Sequence, residues 1–314
     1  MKNNFSQLSF FLLSFYLCSC YNSNTTTTTK HETQAVPEVK SIFINGDSIH
    51  CIDIGKGDPI VLVHGTLGDY RTWGAQMDTF AKNHRVIAYS RRFAYPDKQM
   101  INDSADYSVV PHAKDLADFI KALNLDPVHL VGHSYGAFTS LVTTIEHPEL
   151  VRSLTLGEPP AMSLLKNVSG GDAIINNILK TAIIPADEAF KNNNNEKAVT
   201  IFVNGAMGDS LYFSKLPQQV RESMMDNTLE LRGIALNKNF SPSITCDDLK
   251  KINTPVLLLE GDRSPLFSTS IIRELDRCLE NKERATISNS SHGLGFENPS
   301  EFYKIVLAFI NKYQ

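Results

Sequence analysis

Cysteine is scarce in this chain, with five among 314 residues. Cys18 and Cys20 fall in a leader-like N-terminal stretch, which leaves Cys51, Cys246 and Cys278. That is an odd number without metal-ligand spacing, so a disulfide-stapled mini-domain and a cysteine zinc site are both excluded. In an oxidising compartment one disulfide fits; buried free thiols fit as well. Charge of one sign is also missing. The formal net charge is −4, and nothing in it predicts a nucleic-acid partner. There is no internal repeat, and a single tryptophan, Trp73. What remains is an ordinary balance, 42% hydrophobic and 20% charged, as expected of a globular chain with room for one large α/β domain and an insertion.

The N-terminus reads as a leader, residues 1–19. Lys2 supplies a positive charge, and Phe10 to Leu17 form a short apolar core. That core is too short to span a bilayer but the right size for a signal peptide. It ends in Leu17-Cys18-Ser19-Cys20, similar to a bacterial lipobox with Cys20 as the lipid-modified residue. A small residue is usual where Cys18 stands. Residues 20–37, with Thr25 to Thr29, read as a flexible tether. The expectation is a lipid-anchored envelope protein, with plain secretion as the alternative.

From about Val39 strand and helix patterns alternate. Ser41–Ile44 and Ile49–Ile54 flank Asn45-Gly46, a hairpin signal. Ile60–Val63, Arg85–Tyr89, Val128–Val131, Arg152–Leu156 and Pro255–Leu259 are short apolar runs of the kind buried on both faces of a sheet. Arg284–Ile287 reads as the last strand and Phe302–Ile310 as a closing helix. Such alternation predicts a mainly parallel sheet with helices on both faces, and a ligand site outside the strands' carboxyl ends. Residues 160–249 break the rhythm. About ninety residues of helical patches are too long for a plain loop and read as a helical lid inserted into a core of 38–159 and 250–314.

Gly132-His133-Ser134-Tyr135-Gly136 directly follows the Val128–Val131 run and precedes a helix-compatible segment. A G-x-S-x-G pattern between a buried strand and a helix signals a nucleophile elbow. The elbow, the upstream Val61-Leu62-Val63-His64-Gly65, the strand order and the late Ser291-His292-Gly293 together resemble the α/β-hydrolase superfamily. The resemblance implies Ser134 as nucleophile, His292 as base, and an oxyanion hole from the backbone N–H groups of Tyr135 and Thr66, with Leu67 the alternative to Thr66. His64 would support the oxyanion loop. His112 and His147 read as structural, and His133, beside Ser134 in the elbow, cannot easily fold back to take its proton.

The acid departs from the usual pattern. Superfamily members mostly carry an Asp three residues beyond a glycine in the loop after the strand that follows the lid. Here that loop reads Gly261-Asp262-Arg263-Ser264-Pro265, which puts Ser264 at the acid's place. Glu158, at the end of the strand after the elbow helix, is the leading substitute, as in some relatives; Asp262 is the other. A second departure is Ser90-Arg91-Arg92-Phe93-Ala94-Tyr95, where the resemblance leads one to expect Asp-x-Arg-Gly-x-Gly. Phe93 and Tyr95 replace glycines and suggest an aromatic wall, while Arg92 would buttress the loop or a carboxylate. Trp73 reads as helix packing.

These residues predict a serine hydrolase that forms an acyl-enzyme on a small ester or related acyl substrate and needs no metal or organic cofactor. A cofactor-free perhydrolase or a carbon–carbon bond hydrolase shares the same groups. A ligand-binding protein that has kept the fold and lost turnover is the reading from another class.

Overall fold

The computed structural model describes residues 37–314, apart from 98–99, 103, 126 and 237–241. The leader, Cys20 and all but the last residue of the tether lie outside the described residues.

Eight strands form one sheet in the order β1-β2-β4-β3-β5-β6-β7-β8. They are β1 (Val39–Ile44), β2 (Asp47–Gly55), β3 (Pro59–Val63), β4 (Arg85–Tyr89), β5 (Val128–His133), β6 (Val151–Gly157), β7 (Val256–Gly261) and β8 (Lys282–Ile287). The β1–β2 hairpin turns through Asn45 and Gly46, both at positive φ, and is antiparallel, as is the β2–β4 pair. Every later pairing is parallel. The last strand begins two residues before the expected Arg284. Its charged Lys282, exposed, and Glu283, half-buried, hide the start because β8 is an edge strand with half its side chains in water.

Helices α1 (Gly74–Phe80), α2 (Val109–Ala122) and α3 (Tyr135–Glu146) connect the first strands. Between β6 and β7 come α4 (Gly171–Ile178), α5 (Ile184–Lys191), α6 (Asn195–Met207), α7 (Tyr212–Lys215), α8 (Gln218–Asp226), α9 (Thr228–Leu236) and α10 (Cys246–Leu249). Helices α11 (Leu266–Cys278) and α12 (Pro299–Ile310) follow. Local chemistry sets several of these starts. Asp69 caps a 3-10 turn, Tyr70–Trp73, after which α1 begins at Gly74. Ser108 caps α2, and Asn298 followed by Pro299 opens α12.

Two hydrophobic cores sandwich the sheet, and β3 shows why its run is continuous. Val61 and Val63 pack with α2, α3 and α11 residues such as Leu116, Phe138 and Ile271. Ile60 and Leu62 pack on the other side with Trp73, Phe80, Phe302 and Phe309 of the α1–α12 face. Trp73 is accordingly a packing residue, 1% exposed and against Phe296 and Phe302. A third core lies within the inserted helices, where Phe190, Val199, Val203, Phe213 and Leu231 enclose Leu67 from the loop after β3.

Cys246, the first residue of α10, and Cys278, the last of α11, form a disulfide. The free-thiol alternative therefore holds only for buried Cys51, whose thiol burial and the nearby Asp53 push up to about 11. Among the described residues no helix is long and apolar enough to cross a membrane.

Candidate active site

Sequence dictates the elbow through steric exclusion. A Cβ on Gly132 would sit 2.6 Å from the Cα of Ala137, and one on Gly136 would overlap the carbonyl oxygens of Val63 and His64. With both side chains absent, the chain turns from β5 into α3 in one residue. That residue is Ser134, at φ 52° and ψ −123°. Such a conformation costs a non-glycine residue about 1–3 kcal/mol and persists only where its surroundings enforce it. The enforcing contacts are the Ser134 N–H, which donates to Gly157 O at 2.7 Å, and the packing of α3 on β3.

Three predicted side chains, from the segments after β5, β6 and β8, meet at the carboxyl ends of the strands. His292 Nε2 lies 3.0 Å from Ser134 Oγ. His292 Nδ1 lies 2.6 Å from Glu158 Oε2. A carboxylate only accepts, so Nδ1 carries the proton and Nε2 presents its lone pair to the serine. Glu158 follows β6 at φ 49°, a second strained residue, and it is 1% exposed. Burial alone would raise its pKa. Donation from His292, from Ser264 Oγ and from the Gly261 N–H (3.0 Å) outweighs burial and holds it below the usual carboxylate range.

The structure does not bring Asp262 to His292. Its carboxylate accepts the N–H groups of Asn289 at 2.9 Å and Ser290 at 3.0 Å, which hold its pKa down and shape the loop that carries the histidine. Ser264, at the place where the resemblance calls for an acid, instead donates its hydroxyl to Glu158. That contact has no sequence signature of its own, since it depends on two loops 106 positions apart.

Other loop residues hold His292 from behind. Glu297 accepts the Ser291 N–H at 2.5 Å and the hydroxyls of Ser290 and Ser291. His133, inside the elbow, bonds through Nε2 to His292 O at 2.7 Å. A carbonyl only accepts, so this imidazole donates and stays neutral; burial, with neighbouring His292, lowers its pKa to about 4. His133 thus holds the backbone of His292, a contact that the pattern G-x-S-x-G does not announce.

Tyr135 is the first residue of α3, so its N–H has no carbonyl one turn earlier to bond within the helix. Thr66 lines the same cavity as Ser134 and His292. Leu67, at φ 64°, is buried in the inserted helices' core. His64 is wholly buried; its Nδ1 lies 2.8 Å from Gly65 O, and its Nε2 accepts the Arg91 N–H at 3.0 Å. Burial keeps it neutral, with Arg91 adding to the effect.

The cavity over Ser134 measures about 80 Å³. Phe138, Met162, Ile178, Ile183, Phe202 and Ile234 line it, and among the described residues no Lys or Arg does. Ile183 ends a π-helical turn, Leu179–Ile183, that joins α4 to α5. The aromatic residues after β4 lie elsewhere. Phe93, at φ 68°, packs on Tyr107, and Tyr95 sits under the Arg71 guanidinium at 3.7 Å. They stiffen their loop and do not wall the cavity. Arg92 pairs with Asp115 of α2. His112 is buried between Phe93 and Tyr135, away from the cavity, and His147 lies beside Glu149 at the end of α3. Among the described residues no group of three or more His, Cys, Asp or Glu is placed to hold a metal ion.

Known proteins resemble this chain in sequence or in fold. The chain is 22% identical to the 2-hydroxy-6-oxo-6-(2'-aminophenyl)hexa-2,4-dienoic acid hydrolase of Metapseudomonas resinovorans, over 86% of this chain and 90% of that one. It is 22% identical to ethanol acetyltransferase 1 of Cyberlindnera jadinii, over 88% of this chain and 84% of that one. It superposes on the carboxylesterase CesB of Bacillus subtilis with a TM-score of 0.68 at 19% identity, over 88% of this chain and 92% of that one. The family described by the alpha/beta hydrolase fold matches residues 58–299, a span that runs from the start of β3 past His292. On that match and on the sheet beneath it, this chain belongs to the alpha/beta hydrolase fold family.

Proposed function

We propose that this protein is a serine hydrolase that cleaves a small ester with an uncharged, apolar acyl group. The observation that carries the reading is the continuous hydrogen-bond chain Ser134–His292–Glu158 opening into an apolar cavity. Ser134 Oγ attacks the acyl carbonyl while His292 Nε2 takes its proton, since an unassisted hydroxyl is a poor nucleophile at neutral pH. The N–H groups of Tyr135 and Thr66 receive the negative oxygen, each contributing roughly 3–4 kcal/mol to the transition state. The tetrahedral carbon then expels the alcohol, protonated by His292, and leaves an acyl-enzyme. Water repeats the sequence and releases the acid. Glu158 fixes the imidazole tautomer and stabilises its charged form.

The cavity wall supports the substrate class. With no Lys or Arg among the described residues that line it, a substrate carboxylate would lose its solvation uncompensated. This favours an ester over a dienoic acid of the kind named for the Metapseudomonas enzyme. Residues 160–249 serve as the lid, because Ile178, Ile183 and Phe202 close the cavity from above the strand tips. Fluorophosphonate labelling with peptide mapping tests the reading. Modification of Ser134, absent in Ser134→Ala, supports it; a folded sample that neither labels nor hydrolyses short-chain p-nitrophenyl esters overturns it in favour of a binding protein.

We further propose that residues 1–19 are a lipoprotein leader and that the mature chain is tethered to a membrane through Cys20. The Cys246–Cys278 disulfide supports export, since such bonds persist in oxidising compartments. Metabolic labelling with an alkyne fatty acid that survives Cys20→Ala would sink this assignment.

A further inference from the structure

Arg91 lies in the loop after β4, with its side chain 1% exposed and outside the cavity lining. A buried guanidinium needs a reason, because its desolvation is costly unless its donors are used. Here the partners fall into two groups. Nε donates to His64 O at 3.2 Å and Nη2 to Gly65 O at 3.1 Å. Both η nitrogens also pair with the Glu230 carboxylate, Nη2 to Oε2 at 2.9 Å. Glu230 belongs to α9 of the inserted helices and is 2% exposed.

The Gly65 carbonyl shares a rigid, planar peptide unit with the Thr66 N–H. In a trans unit the two point in opposite directions. A donor that fixes Gly65 O therefore also fixes the direction of the Thr66 N–H. Gly65 O receives Arg91 Nη2, His64 Nδ1 at 2.8 Å and the Gly68 N–H at 3.2 Å. Arg91 touches the other oxyanion residue as well, since its guanidinium carbon lies 4.9 Å from the Tyr135 ring centroid. From the same loop Leu67 is buried in one core with Leu231, the residue after Glu230. Ile234, four positions after Glu230 and so on the same face of α9, lines the cavity. One helix thus contacts the acyl pocket and clamps the oxyanion loop.

We infer that Arg91 and Glu230 are positioning residues of the oxyanion hole, through which the seating of α9 sets the direction of the Thr66 N–H. The inference rests on the proposed acyl transfer at Ser134. Neither residue touches substrate, so their removal should lower kcat and leave KM nearly unchanged, because the oxyanion exists only in the transition state.

The test compares wild type, Arg91→Met, Glu230→Gln and the double variant Arg91→Met/Glu230→Met on one short-chain ester. Each single change strands a buried polar partner and is expected to lower Tm. The double change replaces an ion pair by apolar groups of similar volume, a swap that often preserves stability. The expected result is a double variant with near wild-type Tm and KM, a kcat lower by about 100-fold, and a trifluoromethyl ketone inhibitor weakened in the same proportion. A kcat that returns with Tm makes the pair merely structural and overturns the inference. A matched rise in KM with kcat unchanged also overturns it. If wild type itself neither turns over nor labels at Ser134, the proposed function falls, and this inference with it.

Discussion

Two neighbouring loops at the strand tips each carry one carboxylate, and they are put to opposite uses. After β6, Glu158 is buried and strained, and receives His292, Ser264 and the Gly261 N–H. After β7, Asp262 leaves 43% of its side chain exposed and receives backbone N–H groups from the histidine loop. Both carboxylates sit below their usual pKa, Glu158 against the burial that opposes it and Asp262 by backbone hydrogen bonds in open solvent. Where an acid sits along the chain is a weaker guide than where its loop points. The first loop aims its carboxylate at the imidazole; the second folds its carboxylate back to brace the loop that holds that imidazole.

The largest test of this contrast is at the imidazole's acid side. Glu158→Gln keeps the shape but leaves Nδ1 facing an amide, and kcat should fall by about 10³- to 10⁴-fold, as expected for loss of the tautomer-fixing acid. Asp262→Asn should leave kcat within about two-fold, since removing a surface cap acts on stability rather than chemistry. Steady-state kinetics on the two purified variants decides it, and a reversed order of damage would exchange the roles assigned to the two loops.

A smaller effect comes from the serine that joins them. Ser264→Ala removes a charge-assisted donor from Glu158 and should lower kcat by about 10- to 100-fold, in line with roughly 1.5–3 kcal/mol for a hydrogen bond to a charged group. Ser264→Asp is more informative. It sets a second carboxylate against Glu158, and like charges that close keep one proton between them. The acid limb of the kcat profile should then move to higher pH. An unmoved limb would mean that the introduced carboxylate turns away and that Ser264 is not held against Glu158.

Much of this could be read in the chain beforehand because steric demands are local. Gly132 and Gly136 declare the elbow, Ile60–Val63 declares a strand buried on both sides, and Phe302–Ile310 declares the last helix. His292 was legible from its place after the last strand. The missing parts are relationships between distant segments. Nothing in the sequence near Arg91 points to Glu230, 139 positions away, and a lone buried Arg and Glu look like surface residues until packing encloses them. The Cys246–Cys278 bond was equally open, since three cysteines permit several pairings and none. Phe93 and Tyr95 carried a true signal, rigidity in place of glycine, yet their direction was set by Tyr107 and Arg71 rather than by the cavity.

The smallest expected effect separates the two carboxylates by pH rather than by rate. Asp262 has a depressed folded pKa, so its contribution to stability is present above the unfolded value of about 3.9 and is lost as pH falls through the folded value. In Asp262→Asn that contribution is absent at every pH. The variant should therefore melt slightly below wild type at neutral pH, by no more than a few degrees in a domain this large. The gap should close as pH falls through the folded value, where wild type loses the same charge. Thermal melts of the two proteins across that range decide it. A gap that stays constant from neutral pH into acid would show that the aspartate matters for its shape alone. Charge would then hold the Glu158 loop alone, and the Asp262 loop would rest on shape.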